Sequence, residues 1–219
     1  PSRGLGDVYK RQRETLRARY GLGDKKVIVA VSRLVPRKGQ DTLVRAMPAI
    51  LREHPDAHLL IVGPGTYRGK LEKLARRLGV LKNTTFTGAV DVEELPGHFV
   101  AGDVFALPVR TQLGGLSVEG LGIVFLEAQA AGVATVAGNG GGAPETVIDG
   151  ETGLVVDSRN LDDVVGCISS LLGDAPTRQR LSTAAREYVT GKWTWEVLGH
   201  QCRAVMAGTG GIPPHHSFA

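Results

Sequence analysis

At 219 residues, with 42% apolar and 22% charged side chains and a formal charge of +4, the chain has the make-up of a globular protein with one well-buried core. Its positive excess is divided among the N-terminal stretch, residues 68–82 and the Arg178–Arg186 segment, which read as solvated helix faces and argue against a nucleic-acid partner. The longest uncharged run, Ala128 to Pro144, is broken by Gly and Asn and cannot span a bilayer, no signal peptide is visible, and two cysteines, Cys167 and Cys202, favour a reducing, cytoplasmic setting over a disulfide framework.

In chain order, PSRGLGDVYKRQ (1–12) has neither a start Met nor a periodic pattern and is set aside as a remnant or scar. A short basic linker helix from Arg13 completes an expected N-terminal segment, 1–24. VIVAVS (27–32) is a run of β-branched and small residues that predicts a buried parallel strand. The loop SRLVPRKG follows, with Arg33 and Lys38 at its rim, and a helix opens near Gln40 or Asp41, either of which could cap it. Two cations on a strand-loop-helix suit a diphosphate; they equally suit a solvated surface. HLLIV (58–62) predicts the second strand, GPG (63–65) a tight turn, and Leu71, Leu74, Ala75 and Leu78 a helical stripe. TTF (84–86) is the third strand, followed by Gly88 and by DVEE, where Asp91 and Glu94 fit a capping box. VFAL (104–107) is the fourth, and a loop from Pro108 to Leu121 leads to the central helix. ATVA (134–137) is the fifth, NGGGAPE a flexible turn, and TGLVV (152–156) a last short strand. Three helices, 160–173, 176–190 and 193–207, close the domain, and residues 208–219 are expected to form a disordered tail. Alternating strands and helices over residues 25–207 imply an α/β fold with a doubly wound, Rossmann-like parallel sheet, whose ligands bind at the carboxyl ends of the strands.

The central stretch is EGLGIVFLEAQAAG (119–132). Ile123, Val124, Phe125, Leu126, Ala128, Ala130 and Ala131 clothe every side of its helix, so that a carboxylate at Glu127 needs a ligand or a buried partner. Glu119 stands before the helix beside Gly120 and Gly122, which let a bound molecule approach the backbone. The free first-turn N–H groups of Gly122, Ile123 and Val124 form an anion-facing surface. A plainer account has Glu119 complementing the helix dipole and Glu127 meeting an Arg.

Rival motifs fit less well. GPGTYR follows the second strand and has Arg68 where a dinucleotide fingerprint needs its third Gly, and no G-x-x-x-x-G-K-[ST] loop occurs. The adjacent His215 and His216 lack further metal ligands.

Together the E-x₇-E pair Glu119/Glu127, the R-x₄-K pair Arg33/Lys38, GPG, Phe86 to Gly88, GDVFALP, GGGAPETV and ETGLVV resemble, in that order, the donor-binding half of retaining GT-B glycosyltransferases of family GT4. SRLVPRKGQDTL, VEGLGIVFLEAQA and GGAPETV are most similar to the mycobacterial and corynebacterial enzymes that add mannose from GDP-mannose to phosphatidylinositol mannosides. The resemblance implies that Arg33 and Lys38 hold the diphosphate, Glu127 the ribose hydroxyls and Glu119 the sugar. By the same resemblance Gly122, Ile123 and Val124 offer amides to sugar or phosphate oxygens, Gly63 and Gly65 line the nucleotide, and the backbone to Val90 meets the base. Two fixed cations and a helix N-terminus can stabilise departing diphosphate without a metal or other cofactor. Two departures stand out, Ala134 where the family commonly has Pro and the helix-interrupting Pro96 and Gly97. The family's other domain, which holds the lipid or glycan acceptor, would precede residue 25, where this sequence has no room for it. The chain is therefore expected to be a donor-binding half-enzyme whose complete form touches the inner face of the plasma membrane. The alternatives are a stand-alone nucleotide-sugar-binding or regulatory module, or a GT4 enzyme with another donor and acceptor.

Overall fold

Six parallel strands form the frame of the molecule: β1 (Lys26–Val31), β2 (Ala57–Val62), β3 (Thr84–Gly88), β4 (Val104–Leu107), β5 (Ala134–Gly138) and β6 (Leu154–Val156). The structure is a computed structural model and describes residues 5–209. Every strand of the expected set is present, in the order β3-β2-β1-β4-β5-β6. β1, β2, β4 and β5 are buried almost throughout, as their β-branched and small apolar composition requires when helices cover both faces. Pairing runs outward from β1 to β2 and β3 on one side and to β4, β5 and β6 on the other. The order therefore reverses between β1 and β4, and the crevice above that point is where such sheets receive ligands.

The helices are α1 (Leu5–Arg19), α2 (Gln40–Glu53), α3 (Arg68–Arg77), α4 (Leu95–Ala101), α5 (Ile123–Ala130), α6 (Leu161–Gly173), α7 (Ala175–Lys192) and α8 (Trp195–Met206). α2 packs against α3 and α6; α4 packs against α1 and α5, and α5 against α7. Phe105 of β4 joins the second group to the sheet, with ring centroids 5.6 Å from Phe99 of α4 and 5.8 Å from Phe125 of α5. Truncating a fully buried ring of this kind costs about 3–5 kcal/mol. Among the described residues no helix is long and apolar enough to cross a membrane.

Several local expectations need correction. α1 begins at Leu5, not Arg13, because Tyr9 packs against the core and Leu16 lies within it, a helical spacing that the absence of a start Met obscured. Neither Gln40 nor Asp41 caps α2. The cap is Gly39 in the left-handed region (φ 77°), while Gln40 donates to Ser32 Oγ and the Arg33 carbonyl, and Asp41 pairs with Arg45 and Arg110. The Asp91–Glu94 capping box does not form: Asp91 makes no side-chain cap bond, and Glu94 instead receives both terminal nitrogens of Arg19, at 2.9 and 2.8 Å. Pro96 falls in the first turn of α4, where its missing N–H costs nothing. Gly97 is buried where α1 crosses; a Cβ there would stand 2.8 Å from Leu16 Cδ1. Asn160, Asp174 and Thr194 cap the last three helices with their side chains. The tail expected from 208 lies, beyond Thr209, outside the described residues, as do His215 and His216.

Candidate functional site

The loops at the carboxyl edge are held by close backbone contacts, and this is how the site acquires its shape. After β1, Pro36–Lys38 make a single 3-10 turn that ends on Gly39, where a Cβ would lie 2.0 Å from the Pro108 carbonyl oxygen in the loop after β4. Arg110 N donates to the Arg37 carbonyl (2.9 Å), and the Arg110 guanidinium reaches Asp41 Oδ1 (2.7 Å) and Thr42 Oγ1 (2.9 Å) in the first turn of α2. The β1 and β4 loops are thus clasped across the point where strand order reverses.

Behind the β4 loop stands the run Gly140–Gly142. A Cβ at Gly140 would lie 2.6 Å from Arg110 Cα, at Gly141 2.1 Å from the Glu119 carbonyl oxygen and at Gly142 2.1 Å from that of Gly120. Gly142 N donates to both of those carbonyls, at 3.2 and 3.0 Å. Only glycine permits this approach, so the stretch read from sequence as a flexible turn is the support of the Glu119 loop.

Glu119 is buried, at 9% exposure. Its Oε2 lies 2.7 Å from Lys38 Nζ and 3.8 Å from Arg37 Nε. Although the ion pair is close, neither Oε2 nor Arg37 Nε finds a hydrogen-bond partner among the described residues. A carboxylate oxygen and a guanidinium N–H withdrawn from water without hydrogen bonds cost free energy, so the centre of the edge is suited to further polar contacts. The structure joins two predicted site residues here, Lys38 and Glu119, and adds Arg37, which sequence reasoning passed over although it adjoins Lys38.

Arg33, at the start of the same loop, is exposed and forms no ion pair among the described residues. Gly63 (φ 125°) and Gly65 lie beneath the cation loop: Cβ atoms there would meet the Ser32 and Leu34 carbonyl oxygens at 2.2 and 2.3 Å, and Leu34 N donates to the Pro64 carbonyl. Packing accounts for glycine at both positions. Val90 follows β3, half-buried against the core, beyond Gly88 (φ 77°). Nearby, Arg68 covers the Phe86 ring, its guanidinium carbon 5.9 Å from the centroid.

Gly122 (φ 79°) caps α5, and the first-turn N–H groups of Ile123 and Val124 have no acceptor within the helix. The expectation of a helix without a solvent face is corrected. Phe125, Leu126, Ala128 and Gln129 are buried, but Ile123 (61% exposed) and Glu127, one turn apart, form an open stripe. Glu127 meets no Arg among the described residues; it reaches solvent, yet the desolvation it still suffers pushes its carboxyl above the usual carboxylate range. Among the described residues no group of three or more His, Cys, Asp or Glu is arranged to hold a metal ion.

Known proteins share this architecture. In the solved structure of Anabaena Alr3699/HepE in complex with UDP and glucose, the matching part superposes with a TM-score of 0.80 at 23% identity, over 90% of this chain and 52% of that one. The C-terminal domain of a glycosyl transferase group 1 family protein from Francisella tularensis matches with a TM-score of 0.73 at 24% identity, over 84% of this chain and 93% of that domain. In sequence, the chain is 52% identical over 196 residues to the GDP-mannose-dependent alpha-(1-6)-phosphatidylinositol monomannoside mannosyltransferase of Mycobacterium tuberculosis, which covers 90% of this chain and 51% of the relative. The chain therefore spans about half the length of the curated relatives it matches. Because residues 12–188 also match the family description "Glycosyl transferases group 1", on the fold and site edge just described, the chain belongs to that glycosyltransferase family.

Proposed function

We propose that this chain supplies the donor side of a retaining mannosyl transfer, in which GDP-mannose binds along the carboxyl edge of the sheet and mannose passes to a phosphatidylinositol mannoside-type lipid. The observation that carries the reading is the buried Glu119 carboxylate set against Lys38 and Arg37 above the strand-order reversal, and the name of the 52% identical relative supports the choice of donor and acceptor. Lys38 and Arg33 take the diphosphate, Glu119 accepts hydrogen bonds from sugar hydroxyls, and the N–H groups opening α5 face sugar or phosphate oxygens. Glu127 accepts the ribose hydroxyls, for which its uncovered side of α5 leaves space. As the anomeric carbon becomes oxocarbenium-like, the bond to the leaving oxygen breaks and its electron pair remains on the diphosphate, where fixed cations and the helix N-terminus are worth most because they need no reorganisation. The donor-binding unit is residues 25–207. A second half, present in a protein of the relatives' length, holds the acceptor and brings the reaction to the cytoplasmic face of a membrane.

Calorimetric titration with GDP, UDP and ADP, each free and as its sugar conjugate, tests this. GDP and GDP-mannose are expected to bind most tightly, and Lys38→Ala is expected to lose roughly 1.5–3 kcal/mol of that affinity, about ten- to a hundredfold. A preference for UDP sugars would replace the donor, and unchanged GDP affinity in Lys38→Ala would remove the cation from its role.

A further inference from the structure

Glu119 was expected to face sugar hydroxyls and Lys38 the diphosphate, as separate contacts. Instead the two side chains touch, 11% and 10% exposed, with Oε2 against the ammonium and Arg37 Nε beyond it. The cation proposed to take phosphate is thus paired with an anion belonging to the protein. Among the described residues that anion has no hydrogen bond at Oε2, so it is held there by charge rather than by a closed network.

We propose that Glu119 is a charge gate that separates the nucleotide sugar from the nucleoside diphosphate left after transfer. The inference rests on the donor reading above. A nucleotide sugar has one ionisable oxygen on each of its two phosphates, whereas the diphosphate product carries a further negative charge on its terminal phosphate. Both ligands must share Lys38 with Glu119, and both meet repulsion from its carboxylate at close range, where the two side chains are themselves largely withdrawn from water. The nucleotide sugar recovers part of that cost, because its hydroxyls donate charge-assisted hydrogen bonds to the unpartnered carboxylate oxygen. The diphosphate has no such hydroxyl at that place and adds a charge instead. Glu119 thereby weakens the product relative to the donor, and a reaction that leaves a diphosphate among fixed cations needs such a device if release is not to become its slow step.

The inverse of ordinary active-site mutagenesis follows: removing this site carboxylate should strengthen a ligand. In Glu119→Gln, GDP affinity measured by calorimetry should rise about tenfold, while GDP-mannose affinity stays within about threefold because the loss of its charged acceptor offsets the gain. A wild type that binds GDP-mannose while Glu119→Gln gains nothing for GDP overturns this inference and leaves the donor reading standing. A wild type that binds neither ligand overturns both.

Glu119→Gln leaves Lys38 buried without its partner and could fail to fold. The comparison is therefore repeated where no unpaired ammonium remains. Lys38→Met leaves the Glu119 carboxylate facing the ligand, and Lys38→Met combined with Glu119→Gln removes both charges. The double variant should bind GDP about tenfold more tightly than Lys38→Met alone, and equal affinity in the two overturns the gate.

Discussion

His58 shows how a single buried side chain sets the pH range of this fold. It lies within β2 at 4% exposure, with Nε2 2.8 Å from Thr85 Oγ1 and Nδ1 without a partner among the described residues. Burial, and after it the positive charge of Lys25, lower its pKa to about 4. The unfolded chain takes up this proton near the ordinary histidine value of about 6.5, while the folded chain resists until about 4. Stability from His58 is thus fully present above about pH 6.5 and lost as pH falls toward about 4, by on the order of 3 kcal/mol if the shift is fully expressed. Urea titrations from pH 7.5 to 4 should show this slope, and His58→Gln should flatten it; the same slope in the variant would assign it to carboxylates. A sequence cannot show such a group, because His58 reads as one more polar residue at the head of an apolar strand. The two glutamates were legible as carboxylates in want of donors, but not where they would find them. Glu119 meets Lys38 only through the register of β1 against β4, and Glu127 is open because Ile123, one turn before it on the same side of α5, is left uncovered as well.

At the level of elements, β1, β2, β4 and β5 were readable because burial on both faces imposes an unbroken apolar run, and the half-buried β3 and β6 from their place in the alternation of strands and helices, whereas helix starts were not. Gly39 rather than Gln40 or Asp41 opens α2, since tertiary partners claim both polar side chains: Ser32 and Arg33 for the first, Arg110 and Arg45 for the second. Arg19 likewise draws Glu94 out of its capping box. The glycine run Gly140–Gly142 was visible but misjudged, because close backbone approach and flexibility have the same signature in sequence. Arg110 is the residue that no motif marked, and it ties both edge loops together. In Arg110→Ala the Asp41 carboxylate keeps Arg45 but loses the bond that fixes α2 to the β4 loop, so Lys38 and Glu119 lose their common support. GDP affinity is expected to fall about tenfold, and Arg110→Lys should not restore it, because an ammonium cannot span Asp41 and Thr42 as the planar guanidinium does. Unchanged GDP binding with only a lowered melting temperature would confine the clasp to stability.

The molecule as a whole presents its candidate site on one open edge. Around that edge Leu116 (89%), Val118 (44%) and Ile123 (61%) are exposed, and apolar side chains gathered about a polar centre are the kind of surface that another body covers. The relatives are about twice as long as this chain, and transfer requires the acceptor hydroxyl to be held against the anomeric carbon with water excluded. Such positioning can supply roughly 7–11 kcal/mol of barrier reduction. One edge with open solvent above it cannot, whereas the donor contacts proposed for Arg33, Lys38, Glu119 and Glu127 all lie on this side. Residues 1–219 are therefore expected to bind GDP-mannose weakly and to transfer nothing. Incubation with GDP-mannose, EDTA and a phosphatidylinositol mannoside should yield no mannosylated lipid, and the same assay should yield product when a protein of the relatives' full length carries these residues. Lipid mannosylated by the short chain would show that the acceptor side is not needed; failure of the long protein, with binding intact, would turn the reading toward a nucleotide-sugar-binding module or a different acceptor.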